Sequence, residues 1–117
     1  MIKEINYENR FFRSVSNSAS GEVCSETVFH YHQKDNLAWA TYEGGAIKFG
    51  TLIAKILASG ELEMRYSHIN QTGELMTGEC RSTPEVLPDG RIRLREKWRW
   101  TSGDFSVGES VIEEISN

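Results

Sequence analysis

The sequence contains few of the residues that cross-link or interrupt a fold: two cysteines, Cys24 and Cys80, and two prolines, Pro84 and Pro88, among 117 residues. Two cysteines are too few for the disulfide framework of a small secreted domain, and they lack the C-x-x-C spacing of a redox or zinc site. We therefore expect reduced thiols, with Cys80 as a small hydrophobic core residue. A chain of this length can bury one core, so we expect a single domain over residues 1–117.

Positive charge is also scarce, because 13 Lys and Arg stand against 17 Asp and Glu, which gives a net charge of −4. Binding to nucleic acid depends on clustered cations, so this balance argues against a nucleic-acid partner. No segment approaches the ~20 apolar residues that span a bilayer. The N-terminal sequence MIKEINYENR lacks the apolar run of a signal peptide. Together these features predict a soluble cytoplasmic protein with no membrane partner.

Helical periodicity is missing, and alternation of apolar and polar residues takes its place. Turn-forming segments such as QKDN, EGG, QTG and SGD recur between the alternating runs. The pattern predicts eight strands, at residues 10–16, 23–32, 37–43, 46–56, 61–69, 74–82, 91–101 and 105–115. Joined by consecutive hairpins, they predict an all-β, up-and-down antiparallel meander that closes into a small barrel. An open curved sheet and a two-sheet sandwich are the alternatives.

Opposite charges indicate the register of the hairpins, because cross-strand ion pairs favour one alignment. A three-residue loop at 71–73 places Arg65 opposite Glu79. The same loop places Glu63 opposite Arg81. The same rule at two other hairpins predicts these pairs: Lys55 with Glu63, Lys97 with Glu109, Arg93 with Glu113, and Leu94 with Ile112.

Two places in the chain depart from regular hairpins. The segment 83–90 is predicted as one long loop that holds both prolines, with a single helical turn at 82–85. A two-residue turn at Gly44 and Gly45 would misalign the following strand, so we expect a β-bulge near Phe49.

The alternation sorts the inward side chains into two groups along the barrel axis. One end is predicted to be an apolar plug that includes Phe29, Tyr31 and Leu94. The other end, where Ser16 is also expected inward, is predicted to be an aromatic cup lined with hydroxyl groups, as in many small-molecule sites. We expect the cup to bind a small molecule through these residues: Ser14, Ser25, Tyr42, Tyr66, His68, Glu96, Trp98, Trp100 and Ser110.

The sequence LREKWRW, residues 94–100, places a carboxylate in line with two tryptophans. As a strand it puts Glu96 on the same face as Trp98 and Trp100, with Ser110 predicted opposite. An ionised carboxylate in such a place loses several kcal/mol of solvation. It must accept hydrogen bonds, pair with a cation or take up a proton. Glu96 is thus expected to anchor either a polar ligand or an internal hydrogen-bond network.

The remaining polar patterns on the strands are interpreted as solvated faces. His30 and His32 share one face of a strand, but Phe29 and Tyr31 claim the inward face and no third ligand is apparent, so we predict no metal site and no cofactor. The basic residues of strand 91–101 are expected to face solvent and to be neutralised by acidic neighbours.

Several segments carry a resemblance to a known family: FRSVSNS, GEVCSETVFHY, TYEGG, GELMTGECRSTPEVLPDGRIRLREKWRWTSGD and VIEE. They resemble a family of short bacterial proteins that are often labelled automatically as N-acetylglutamate synthase. Known synthases of that kind look like the GNAT acetyltransferases, in which a glycine-rich turn before a helix binds the pyrophosphate of acetyl-CoA. No such turn is present here. The family brings no catalytic residues to this chain.

By architecture, a short eight-strand meander with Ser, Tyr and Trp at one mouth is similar to avidin and lipocalin-like barrels, although the Gly-x-Trp start of lipocalins is missing. Three functions stay open. The first is binding of a metabolite in the cup. The second is a structural or interaction module with a filled barrel, in which Trp39 or Phe11 would form a partner surface. The third is an acetyltransferase with Glu96 or His68 as base. We expect a monomer or a homodimer.

Overall fold

The computed structural model describes residues 5–115. Within this range the chain forms eight strands and no helix, and so no helix long and apolar enough to cross a membrane. The strands are β1 (Arg10–Asn17), β2 (Val28–Lys34), β3 (Leu37–Gly44), β4 (Ile47–Ile56), β5 (Leu62–Asn70), β6 (Leu75–Val86), β7 (Ile92–Trp100) and β8 (Val107–Glu114).

Each strand pairs antiparallel with the next one, and β8 pairs with β1, which closes the barrel. The predicted all-β, up-and-down barrel is therefore confirmed. The predicted register is confirmed too, since Arg65 lies opposite Glu79 and Lys97 lies opposite Glu109. The alternating pattern specifies this register because a slip of one residue would turn every inward side chain outward.

The strand predicted at 23–32 is too long at its start, because β2 begins only at Val28. Residues 18–27 form a long loop that ends in a turn, where the Thr27 N–H donates to the Cys24 carbonyl at 2.9 Å. The residue pattern of this segment resembles that of a strand. Its backbone groups, however, form local hydrogen bonds within the loop and do not pair with a neighbouring strand.

The long loop predicted at 83–90 is wrong, and so is its helical turn, because β6 continues to Val86. Pro84 therefore lies inside a strand, opposite Leu94 on β7. Beyond Ser82, β6 pairs only with β7, since its ladder to β5 ends there. A proline is tolerated on such a one-sided stretch because no ladder bond is required on the free side.

The predicted bulge is present in β4. The register between β3 and β4 shifts between the pairs Tyr42–Gly50 and Gly44–Ile47, which places the extra residue beside Phe49. The bulge lets the strand leave the Gly45 turn without reversing its inward face.

A second bulge, which the alternation did not predict, lies in β1. Ser14 pairs with Ile112 and Ser16 pairs with Val111, so Val15 is the extra residue. The expectation that Ser16 faces inward is therefore wrong, because Ser16 is exposed. Asn17 takes the inward position instead, opposite Ser110.

The barrel end that carries the β2–β3, β4–β5 and β6–β7 connections is filled, as the predicted apolar plug required. Phe12, Tyr31 and Leu94 are fully buried there. The N-terminal segment adds Tyr7, whose ring centroid lies 6.0 Å from that of Tyr31. The Tyr7 N–H donates to Gln33 Oε1 at 2.9 Å, which ties this segment to β2.

The outer face of β7 carries the basic residues, and acidic neighbours neutralise them as predicted. Arg93 Nε lies 2.8 Å from Glu113 Oε2, and Arg95 Nε lies 3.0 Å from Glu85 Oε1. Such exposed pairs contribute about 0–1 kcal/mol each, so they support the register more than the stability.

Candidate functional site

A cavity opens at the barrel end opposite the plug. The space open to the centre of a water-sized sphere is about 50 Å³, and the total empty volume, which includes the open mouth, is about 480 Å³. By the first measure it holds on the order of four water molecules. The polar and aromatic residues of its lining are Asn17, Glu22, Phe29, Tyr42, Tyr66, His68, Cys80, Glu96, Trp98, Trp100 and Ser110.

Three aromatic rings of the lining lie directly against glycines of the neighbouring strand. The pairs are Tyr42 with Gly50, Tyr66 with Gly78, and Trp98 with Gly108. A Cβ atom at Gly78 would come within 2.3 Å of the Tyr66 ring, and one at Gly108 within 2.2 Å of the Trp98 ring. Each ring occupies the space that a side chain would fill if the facing residue were not glycine. The rings can therefore lie flat along the barrel wall, which leaves the cavity beside them open.

Trp100 is the centre of the aromatic wall. Its ring centroid lies 5.8 Å from that of Tyr66 and 5.7 Å from those of His68 and Trp98. All three rings are tilted or edge-on to Trp100, which is the favoured geometry for aromatic pairs. The wall is therefore a packed cluster, not a set of independent side chains.

Glu96 lies between the cup and the plug, and two serines hold its carboxylate. Ser110 Oγ donates to Oε1 at 3.0 Å, and Ser82 Oγ donates to Oε2 at 2.9 Å. Desolvation raises the pKa of Glu96 from 4.5 to about 7, and the two serine hydrogen bonds offset part of that rise because they favour the charged form. A carboxyl group with such a pKa can hold or release a proton near neutral pH.

A second chain of polar groups runs from the cavity wall to its mouth. His68 Nε2 lies 2.7 Å from Glu22 Oε1, and Asn70 Nδ2 donates to Glu22 Oε2 at 2.9 Å. Because a carboxylate only accepts, Nε2 carries a proton. The Tyr42 hydroxyl lies 3.0 Å from Nδ1 and donates to it when that nitrogen carries no proton. Burial raises the pKa of Tyr42, so its hydroxyl stays protonated as a donor.

The β1–β2 loop covers the mouth and is held by side chains of the cup. Trp100 Nε1 donates to the Ser20 carbonyl at 3.1 Å, and Asn17 Nδ2 donates to the Val23 carbonyl at 2.9 Å. Trp98 Nε1 in turn donates to Asn17 Oδ1 at 3.0 Å. Both tryptophan N–H groups are therefore used to fix the cover over the cavity.

Of the nine residues predicted for the cup, seven border the cavity. The other two lie elsewhere. Ser25 is exposed in the turn of the β1–β2 loop, because β2 starts three residues after it. Ser14 is buried and inward, but it lies one inward position below the cavity, opposite Ile112, and its Oγ donates to the Ser16 carbonyl at 3.4 Å.

Four polar or aromatic residues of the lining were not predicted for the cup: Asn17, Glu22, Phe29 and Cys80. Phe29 was expected in the plug, which is wrong because it borders the cavity, and Cys80 was expected only as a small core residue. Asn17 was missed because the bulge at Val15 reverses the alternation of β1. Glu22 was missed because it comes from a loop, where side-chain direction follows no period. The only sequence signal for a loop there was the run SNSASG, which indicated a turn without indicating what it covers.

His30 and His32 lie outside the barrel, as predicted. Their ring centroids are 4.3 Å apart, and each stacks on a further aromatic side chain, Phe11 and Trp39 respectively. Among residues 5–115, no group of three or more His, Cys, Asp or Glu is arranged to hold a metal ion.

The comparison with family models decides the family. The model described as avidin-like protein matches residues 5–115, which is nearly the whole chain. The chain belongs to the avidin-like protein family. No curated protein and no solved structure matches it significantly.

Membership of the avidin-like family agrees with the closed eight-strand barrel and supports small-molecule binding in general terms. It names no ligand for this avidin-like chain. The site is therefore argued from its own residues.

Proposed function

We propose that this protein binds a small metabolite in the cup at the open end of its barrel. The observation that carries the proposal is the cavity itself, which has five large aromatic rings and a buried carboxyl group on its wall and a loop over its mouth. Mostly apolar walls with a few convergent polar groups are the usual features of ligand pockets.

The size of the cavity favours binding over acyl transfer from a coenzyme. A space of about 50 Å³ for the centres of water-sized spheres accommodates a group of a few non-hydrogen atoms. A coenzyme A molecule is many times larger, so the acetyltransferase implied by the sequence resemblance is the weaker proposal. A cytoplasmic location stays a prediction from the sequence.

Glu96 also favours binding over a filled structural barrel. A carboxyl group whose pKa burial raises to about 7 destabilises the folded state when it is ionised. In a purely structural core, an apolar residue at this position would avoid that cost. A ligand that hydrogen-bonds to Glu96 would give this buried carboxyl group a role in binding.

The test uses tryptophan fluorescence, because Trp98 and Trp100 border the cavity. The variant Trp39→Phe removes the third tryptophan, which lies on the outer face, so that emission reports the cup alone. A metabolite panel that includes biotin, a ligand of avidin-like proteins, is titrated against this variant. We expect at least one member to shift the emission in a saturable way.

Two further variants separate binding in the cup from binding elsewhere. Cys80→Leu adds bulk to the cavity wall and should abolish the saturable shift. Thr41→Leu adds comparable bulk on the exposed outer face of β3 and should leave the shift unchanged. Equal binding by both variants would show that the ligand lies outside the cup and would refute the proposal.

A surface for another protein is the second candidate, and a row of outer aromatic side chains favours it. Four rings lie in a row across β1, β2 and β3, those of Phe11, His30, His32 and Trp39. The outer two, Phe11 and Trp39, are exposed, and each stacks on its neighbouring histidine. Sedimentation of the wild type and of Trp39→Ser tests whether this row joins two copies of the chain. A monomeric wild type at high concentration would argue against self-association.

A further inference from the structure

The side-chain donors around the cavity are already in use. The two tryptophan N–H groups donate to Asn17 and to the Ser20 carbonyl, and the amide of Asn17 donates to the Val23 carbonyl. Among the side-chain hydroxyls of the lining, only that of Tyr66 has no hydrogen-bond partner within residues 5–115. A ligand that mainly accepts hydrogen bonds would therefore find few side-chain donors.

The acceptors of the same lining keep unused capacity. Glu96 and Glu22 present four carboxylate oxygens, and each of them accepts one hydrogen bond from the protein. A carboxylate oxygen has about two acceptor sites, so each can accept one more. The cavity is therefore rich in acceptors and poor in donors, which selects a ligand that donates.

The charge of the lining has the same sign throughout. Two glutamates border the cavity, and no lysine or arginine is among the described residues that line it. Both glutamates lie close enough to Tyr42 to raise the pKa of its hydroxyl further, after the larger effect of burial. The rings of Tyr66, Trp98 and Trp100 form the rest of the wall, and aromatic faces attract cations.

From this inventory we propose that the cup is selective for a small organic cation that donates hydrogen bonds, such as a protonated primary amine, with its charged nitrogen on the Glu96 carboxylate. An ammonium group offers three donors and no acceptor, which matches the unused sites of the wall. Its alkyl part would lie against the tryptophan rings. The inference rests on the proposed binding function and specifies the ligand class of that same site.

Binding of a cation is coupled to the proton on Glu96, and the direction of the coupling identifies the ligand class. The other titratable groups that face Glu96 are Tyr31 on β2, Tyr42 on β3, Tyr66 on β5 and Cys80 on β6, and burial raises the pKa of each, so they stay neutral. His68 and Glu22 share the cavity at its mouth.

A cation binds the ionised form of Glu96, so its affinity must rise with pH until Glu96 is fully ionised. With a pKa of about 7 for Glu96, the rise between about pH 6 and pH 8 is about tenfold. A neutral ligand that accepts the Glu96 proton would show the opposite trend.

The experiment compares three probes of one shape and different charge: isobutylamine, isobutanol and isobutyrate. Each is titrated into the Trp39→Phe protein, followed by tryptophan emission and by chemical shifts of the cup residues. We expect isobutylamine to bind at least about tenfold more tightly than isobutanol at pH 8, since a hydrogen bond between two charged groups is stronger than one from a neutral hydroxyl.

Glu96→Gln keeps the shape of the side chain and removes its charge. We expect it to lower the affinity for isobutylamine about tenfold or more at pH 8, to abolish the pH dependence, and to leave isobutanol unaffected. Glu43→Gln, an exposed position on β3, is the matched control and should behave as the parent. Far-ultraviolet circular dichroism checks that each variant is folded, and Glu22→Gln provides an independent second carboxylate variant.

The outcomes separate the inference from the proposed function. Tighter binding of isobutanol or isobutyrate in the cup would overturn the cation inference and leave metabolite binding intact. Binding of isobutylamine that is unchanged by Glu96→Gln would overturn it as well, and a loss caused by Glu22→Gln alone would place the cation at the mouth instead. Absence of binding by all three probes, together with no shift from the wider metabolite panel, would overturn both proposals.

Discussion

Glu96 offers the sharpest prediction, because its raised pKa makes the stability of the fold depend on pH. The folded chain keeps a proton on Glu96 up to about pH 7, whereas the unfolded chain loses it near 4.5. Between these values the folded state binds more protons than the unfolded state. The free energy of unfolding therefore falls as the pH rises, by up to about 1.4 kcal/mol per pH unit, and the total loss is about 3 kcal/mol.

The Glu96→Gln variant removes this proton and keeps the side-chain shape. We expect the variant to gain about 3 kcal/mol relative to the wild type when the pH is raised from about 4 to about 8. Urea unfolding at each pH, followed by tryptophan emission, measures the difference directly. Carbon-detected NMR of the Glu96 carboxyl group, assigned with the same variant, gives the pKa itself.

The exposed control Glu43→Gln should follow the wild type at every pH. The reasoning would be refuted by a carboxyl that titrates near 4.5 together with a stability difference between the wild type and Glu96→Gln that does not change with pH. Glu96 would then be solvated, and the hydrogen bonds from Ser82 and Ser110 would not describe its environment in solution.

Three further predictions concern the wall and its cover. Gly78→Ala places a methyl group 2.3 Å from the Tyr66 ring, so we expect a loss of about 1–3 kcal/mol in urea unfolding and weaker ligand binding; an unchanged protein would contradict the packing. Tyr42→Phe removes the donor to His68, so we expect a loss of about 1–3 kcal/mol in thermal or urea unfolding, because the buried Nδ1 stays unpaired; a neutral result would show that His68 finds another donor. Trp100→Phe removes the bond to the β1–β2 loop and leaves a gap in the packed wall, so we expect a loss of global stability in urea unfolding and, beyond that loss, faster proteolysis of the loop; cleavage rates that the global loss alone explains would show that other contacts hold the cover.

Much of the fold could be predicted from the sequence, because strand alternation and charge pairing are local signals with a geometric consequence. Arg65 faces Glu79 because the loop at 71–73 leaves a register that pairs these charges. Arg93 faces Glu113 in the predicted register too, although the connection from β7 to β8 is longer than the predicted three residues. The inward position of Glu96 followed from the same alternation.

What could not be predicted depends on features that break the alternation. One extra residue at Val15 turns Ser16 outward and Asn17 inward, and nothing in the run FRSVSNS indicates where the extra residue lies. The side chain of Glu22 reaches His68 from a loop, and loop side chains follow no period. Pro84 indicated a loop, but the free side of β6 tolerates it.

The position of Glu96 links stability and binding in one group. Net stabilities of folded domains are about 5–15 kcal/mol, so a penalty of about 3 kcal/mol at high pH is a large part of the total. The packed plug beneath Glu96 contributes the burial that offsets this penalty. A cation bound to the ionised carboxylate would restore part of the lost solvation, and would raise the free energy of unfolding with ligand concentration as mass action requires.

We therefore expect the thermal midpoint to rise with isobutylamine more at pH 8 than at pH 6, and to show no such difference in Glu96→Gln. A ligand-induced rise that is equal at both pH values would show that binding and the Glu96 proton are independent.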